Sequence, residues 1–141
     1  MALEWRLLYW LHAMEALNGN RGTVLAIDDE PELLDLVKRC LEPMGYQVHT
    51  ASSAKEGVEL YEKNWQNVKL VLLDFLMPEM TGDLIFECLQ RQNPGVRTIL
   101  LTGCEDYVAT RMFQKGLFGY IHKPFYLDDL VQQVDQAVES V

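Results

Sequence analysis

The stretch Lys69-Leu70-Val71-Leu72-Leu73-Asp74-Phe75-Leu76-Met77-Pro78 decides the fold. A strand with one wet face alternates apolar and polar residues, whereas residues 70–73 are aliphatic throughout, as in a strand covered on both faces. The run stops on an acid just before Met77-Pro78, with Met77 read as loop packing near the strand end. Comparable runs occur at 23–28 (TVLAID), 46–51 (YQVHTA), 97–102 (RTILLT) and 118–122 (FGYIH), which makes five predicted strands. Helix signals fill the gaps: Pro31 in a first turn after Asp29, the capping box Ser53-Ala54-Lys55-Glu56, and Gly116 as a stop. A last helix over 126–139 places Leu127, Leu130, Val134 and Val138 on one side. Strict β/α alternation predicts an α/β fold, a (βα)5 doubly wound parallel sheet occupying 23–141 as one domain.

Composition agrees and excludes other classes. Of 141 residues 49% are apolar and 23% charged, which supplies a core and rules out a disordered tail. No run approaches the ~20 apolar residues of a membrane span. With 21 acids against 12 bases the formal charge is −9, so the domain lacks the clustered Lys and Arg that nucleic acid demands. Cys40, Cys88 and Cys104 are scattered and odd in number, which suggests neither a disulfide frame nor a zinc site. Without a basic n-region or small-residue cleavage site, the expectation is a cytoplasmic protein with reduced thiols. His12, His49 and His122 share no spacing and read as surface or edge residues, while Met112 and Phe113 read as helix-face packing.

Residues 1–22 stand apart. Leu3, Leu7, Trp10, Met14 and Leu17 alternate four- and three-residue steps, an a/d seam over about two heptads. Trp5, Leu8, Tyr9 and Leu11 lie off the seam, so the segment 3–17 is expected to pack, either as a dimer element or as a linkage to a kinase. Asn18-Gly19-Asn20-Arg21-Gly22 reads as a flexible joint.

Strand one ends in Asp28-Asp29 and strand three in Asp74, which puts three carboxylates at carboxyl ends of parallel strands, where open α/β sheets bind ligands. With strand order 2-1-3-4-5 they meet in one cleft. Convergent carboxylates raise one another's pKa unless a cation sits among them, and hard oxygen ligands in an open, hydrated cleft suit Mg²⁺. Thr102 and Lys123 end strands four and five on the same edge. A hydroxyl and an ammonium beside a carboxylate nucleophile predict attack by Asp74 on a phosphoryl donor, giving an aspartyl phosphate.

These residues resemble the receiver domain of two-component response regulators, the flavodoxin-like and CheY-like architecture, over residues 23–139. The marks are Asp28-Asp29, the run Asp74-Phe75-Leu76-Met77-Pro78-Glu79-Met80-Thr81-Gly82, Leu101-Thr102-Gly103, and Gly119-Tyr120-Ile121-His122-Lys123-Pro124-Phe125. The resemblance implies that Asp74 is the phosphoacceptor, that Asp29 binds Mg²⁺ directly, that Asp28 does so mainly through water, and that the backbone carbonyl of Leu76 is a further ligand. It implies that Thr102 hydrogen-bonds the phosphoryl group, that Lys123 pairs with it, and that Tyr120 swings inward when Thr102 moves. A cis peptide between Lys123 and Pro124, and a histidine kinase or histidine phosphotransfer protein as donor, follow in the same way. Leu76 and Cys104 flank the route of attacking water and do little to orient it, so slow self-dephosphorylation is expected, with no other enzymatic activity.

Blander readings exist for each residue. Asp28 and Asp29 also suit a cap for the helix at Pro31, Asp74 a turn, Lys123 the surface, Thr102 a β-former and Tyr120 the core. As whole functions, a non-phosphorylated adaptor would keep the fold, and a haloacid-dehalogenase-type phosphohydrolase would need an acid where Leu76 stands. An FMN carrier would not place Asp-Asp-Glu-Pro where a phosphate must be cradled. With the chain ending soon after the fifth helix, output is expected to pass through a partner or through the rest of a longer protein, such as a hybrid sensor histidine kinase.

Overall fold

The computed structural model describes residues 6–11, 21–103 and 106–140. Five strands, β1 (Gly22–Ile27), β2 (Tyr46–Ala51), β3 (Val68–Asp74), β4 (Thr98–Thr102) and β5 (Gly119–His122), form one parallel sheet in the order β2-β1-β3-β4-β5. Five helices connect or follow them: α1 (Pro31–Leu41), α2 (Ala54–Asn64), α3 (Gly82–Gln92), α4 (Asp106–Gln114) and α5 (Leu127–Glu139). The predicted fold and order are those observed.

The unbroken aliphatic runs have the expected cause. Val24, Ala26, Leu70 and Leu72 point to the layer holding α1 and α5, while Leu25, Ile27, Val71 and Leu73 point to the layer of α2, α3 and α4. Consecutive residues of one strand therefore serve two cores, and none of the eight is left for water. The local signals act largely as read. Pro31 opens α1, Ser53 Oγ accepts from the Glu56 amide at the start of α2, and Gly116 turns the chain after α4 with φ +109°. Glu56 does not complete the capping box, because its carboxylate faces Ser52 Oγ instead.

Some packing details differ from expectation. On α5 the inward stripe is Leu130, Val134 and Ala137, with Val138 only partly covered and Leu127 exposed. Met112 is buried, but Phe113, one position round the helix, is exposed.

Of the predicted joint before β1, Asn18, Gly19 and Asn20 lie outside the described residues, and Arg21 and Gly22 are fixed. Arg21 is buried, its amide donates to the Gly45 carbonyl, and Gly22 already belongs to β1. Its guanidinium lies 4.6 Å over the Tyr46 ring and pairs with Asp135 at 3.0 Å and Glu139 at 2.8 Å. At the other side of the helix end, Arg97 donates to the carbonyls of Ala137 and Ser140 and stacks on Phe118. Two arginines that precede strands thus hold the last turn of α5. Arg21→Met is expected to cost about 2 to 3 kcal/mol in urea denaturation, less than a fully buried pair because the acids remain partly hydrated.

Residues 6–11 are helical, and Leu7, Leu8, Tyr9, Trp10 and Leu11 are exposed there. Of the predicted seam, Leu3, Met14 and Leu17 lie outside the described residues, as do His12 and Cys104.

Candidate functional site

Register brings the acids together. Ile27 of β1 pairs with Leu73 of β3, so the residues that follow, Asp28 and Asp74, leave the sheet side by side. Carboxylate oxygens of Asp28, Asp29 and Asp74 all lie within 4.8 Å of one another. Asp28 and Asp74 are buried, while Asp29 is exposed. Lys123 reaches in from the end of β5, and its Nζ stands 2.8 Å from Asp28 Oδ2 and 3.4 Å from Asp74 Oδ1. The peptide between Lys123 and Pro124 is cis. The Lys123 amide donates to the Thr102 carbonyl at 2.9 Å, which sets these two residues on adjacent strands beside the cluster. Thr102 is buried, Tyr120 is half-buried with its ring 6.3 Å from that of His122, and Leu76 is 61% exposed.

The acids do not act as helix caps. The cap residue of α1 is Glu30, without a side-chain cap bond, and Asp28 Oδ1 instead accepts the Glu30 amide at 2.9 Å. That bond and Lys123 hold the Asp28 carboxylate in one orientation. Sequence reasoning missed Glu30 as a member of the site: its Oε1 lies 3.3 Å from Lys123 Nζ. An acid two positions after the strand-end Asp28 was the available signal.

Electrostatics make the cluster tense. Burial, then the neighbouring Asp28 charge, raises the Asp74 carboxyl to about 6, although Lys123 opposes the rise. Burial also raises Asp28 against its bonds from Lys123 and the Glu30 amide. For Lys123 burial acts downward, but the three surrounding carboxylates outweigh it and its pKa is raised. Three acids converge on one ammonium, with Glu30 at the rim, so negative charge is in excess. An all-oxygen, hard and partly exposed donor set of this kind fits a small divalent cation such as Mg²⁺.

Fold and site together define an α/β domain that carries an acidic, cation-suited cleft and a lysine on the carboxyl edge of its sheet. The chain belongs to the response regulator receiver domain family, which matches residues 24–135. It is therefore a receiver domain of two-component signalling. It is 34% identical over 125 residues to the sensor kinase CckA of Brucella abortus, covering 88% of this chain and 13% of that protein. It is 39% identical over 120 residues to the transcriptional regulatory protein GlrR of Escherichia coli, covering 83% of this chain and 26% of GlrR. The chain thus spans a minor part of either relative. Among solved structures, a response regulator receiver domain protein from Clostridium thermocellum superimposes with a TM-score of 0.79 at 30% identity, covering 83% of this chain and 94% of that one. The response regulator TrrA of Thermotoga maritima, solved in complex with Mg(2+)-BeF, superimposes with a TM-score of 0.73 at 28% identity, over 82% of this chain and 98% of that one. Among the described residues no helix is long and apolar enough to cross a membrane.

Proposed function

We propose that this receiver domain accepts a phosphoryl group on Asp74 from a histidine kinase or a histidine phosphotransfer protein. The observation that carries the reading is a buried strand-end carboxylate with a second carboxylate and a lysine ammonium at hand, the ammonium 3.4 Å away. An Asp74 oxygen attacks phosphorus and forms the new P–O bond. The donor's P–N bond breaks, and the departing imidazole nitrogen keeps the electron pair and takes up a proton. Lys123 neutralises charge on the transferring oxygens, and the Thr102 hydroxyl donates to one of them.

Asp28, Asp29, Asp74 and the backbone carbonyl of Leu76 would hold Mg²⁺, which when bound offsets negative charge shared by the carboxylates and the incoming phosphoryl group. Thr102 and Tyr120 serve as the switch, carrying the state of Asp74 to the face made by α4, β5 and α5. A few kcal/mol of differential stabilisation suffices for that. Catalysis ends with self-phosphorylation and slow self-dephosphorylation, in a cytoplasmic domain of residues 23–141. Residues 1–22 would join the domain to a second copy or to a kinase.

Incubation with a small acyl phosphate and Mg²⁺ should yield a single phosphoryl adduct by mass spectrometry, absent from Asp74→Asn. No adduct on the wild type, or one that persists in the variant, sinks the reading. The adduct should outlast many seconds, because Leu76 is exposed beside the site and presents no polar group to orient water; decay within seconds contradicts that part.

A further inference from the structure

Lys123 reaches the cleft with an ammonium that has three N–H donors and no acceptor. All three are taken: Nζ donates to Asp28 Oδ2 at 2.8 Å, to Glu30 Oε1 at 3.3 Å and to Asp74 Oδ1 at 3.4 Å. A phosphoryl oxygen on Asp74 can therefore bond this ammonium only by displacing a carboxylate. The three carboxylates are not equally easy to displace. Asp28 is buried, and its other oxygen accepts the Glu30 amide at 2.9 Å, so it cannot turn away without losing a second bond. Asp74 is buried and carries the phosphoryl group in the reading above, on which this inference rests. The Glu30 side chain is 63% exposed, and its carboxylate makes no other hydrogen bond or ion pair among the described residues. Water replaces the Lys123 ammonium there at little cost.

We propose that Glu30 is a positioning residue that occupies the third donor of Lys123 in the resting domain and yields it to a phosphoryl oxygen when Asp74 is modified. Two anions then compete for one N–H, and the exposed one gives way. The competition sets how readily the cleft takes up a phosphoryl group: the Glu30 carboxylate must be displaced, and its charge repels an anionic donor approaching the same ammonium. Glu30 thus lowers the affinity of the cleft for a tetrahedral anion on Asp74. No covalent bond is made or broken at Glu30, which acts only through Lys123.

The test is a titration of the ¹⁵N-labelled chain with beryllofluoride, a tetrahedral stand-in for the phosphoryl group, at a Mg²⁺ concentration that saturates each protein, with the Thr102 and Lys123 amides as reporters. Glu30→Gln keeps the side-chain length and the backbone amide but removes the charge, and it should bind about three- to tenfold more tightly than wild type. Glu30→Asp keeps the charge but draws it back from Nζ by one methylene, and it should also bind more tightly than wild type. With a small acyl phosphate, the half-saturating concentration should fall in Glu30→Gln by a factor similar to the gain in affinity, and by more than any change in the maximal rate. If wild type binds no beryllofluoride, the Asp74 reading fails and this proposal with it. If wild type binds and Glu30→Gln is no tighter, this proposal alone is overturned. Glu30→Asp with wild-type affinity, or an effect of Glu30→Gln confined to the maximal rate, likewise overturns it.

Discussion

Asp74→Asn is expected to make the domain more stable while leaving it unable to take up a phosphoryl group. In the metal-free protein burial and Asp28 hold the Asp74 carboxyl at about 6, against 3.8 in an unfolded chain. A raised folded pKa means that folding is opposed by the ionised form. Well below pH 3.8 both states are protonated and no penalty exists. As pH rises towards 6 the unfolded chain ionises first, so stability falls, and above 6 the whole penalty is present. It amounts to about 2 to 3 kcal/mol at neutral pH, with the upper end discounted because Lys123 and Asp28 respond to the same charge. Asparagine fills the same volume without charge and should recover most of this. Denaturant melts of both proteins without divalent metal should show the variant ahead at pH 7, with the gap closing towards pH 4. A variant less stable at pH 7, or a gap that does not change with pH, contradicts the account.

Gly82→Ala is expected to do the reverse, costing stability and deforming the site. A Cβ on Gly82 would stand 2.8 Å from Phe75 Cα and 2.9 Å from the Asp74 carbonyl oxygen. Both obstacles are backbone, so no side chain can move aside. The Gly82 amide also donates to the Phe75 carbonyl at 2.7 Å, which ties the start of α3 to the residue after Asp74. One methyl must therefore push apart the end of β3 and the start of α3. A loss of about 2 to 4 kcal/mol is expected by analogy with other overpacked sites. The displaced strand end should also lower the rate of adduct formation at Asp74 more than the loss of stability alone accounts for. Full-rate phosphorylation in a well-folded Gly82→Ala protein would show that the close approach is not needed.

The contrast between these two residues shows what a sequence can reveal. Strand-end acids are legible because buried parallel strands are unmistakable in residues 70–73 and the fold rule then places Asp28, Asp29 and Asp74 on one edge. Thr102 and Lys123 are placed by the same rule, and the structure brings their strand ends together. Glu30 was not legible, since its reach to Lys123 depends on the turn made by Asp28 accepting the Glu30 amide. Arg21, expected in a flexible joint, is fixed for a related reason: its acidic partners on α5 lie 114 and 118 positions away and no local pattern announces them. Leu127 and Phe113, expected on packed helix faces, are exposed because helical periodicity fixes a stripe but not its width, and Ala137 and Met112 are the buried residues there.

The two arginines at the end of α5 also bear on how the two edges of the sheet are joined. Arg21 holds Asp135 and Glu139, Arg97 holds the Ala137 and Ser140 carbonyls, and both grips lie at the edge of the sheet remote from Asp74. The opposite end of the helix follows directly on Lys123, Pro124 and Phe125. Arg21 and Arg97 thus anchor the last turn of α5 at the amino edge of the sheet, so that one helix joins the edge that carries Lys123 to the edge opposite it.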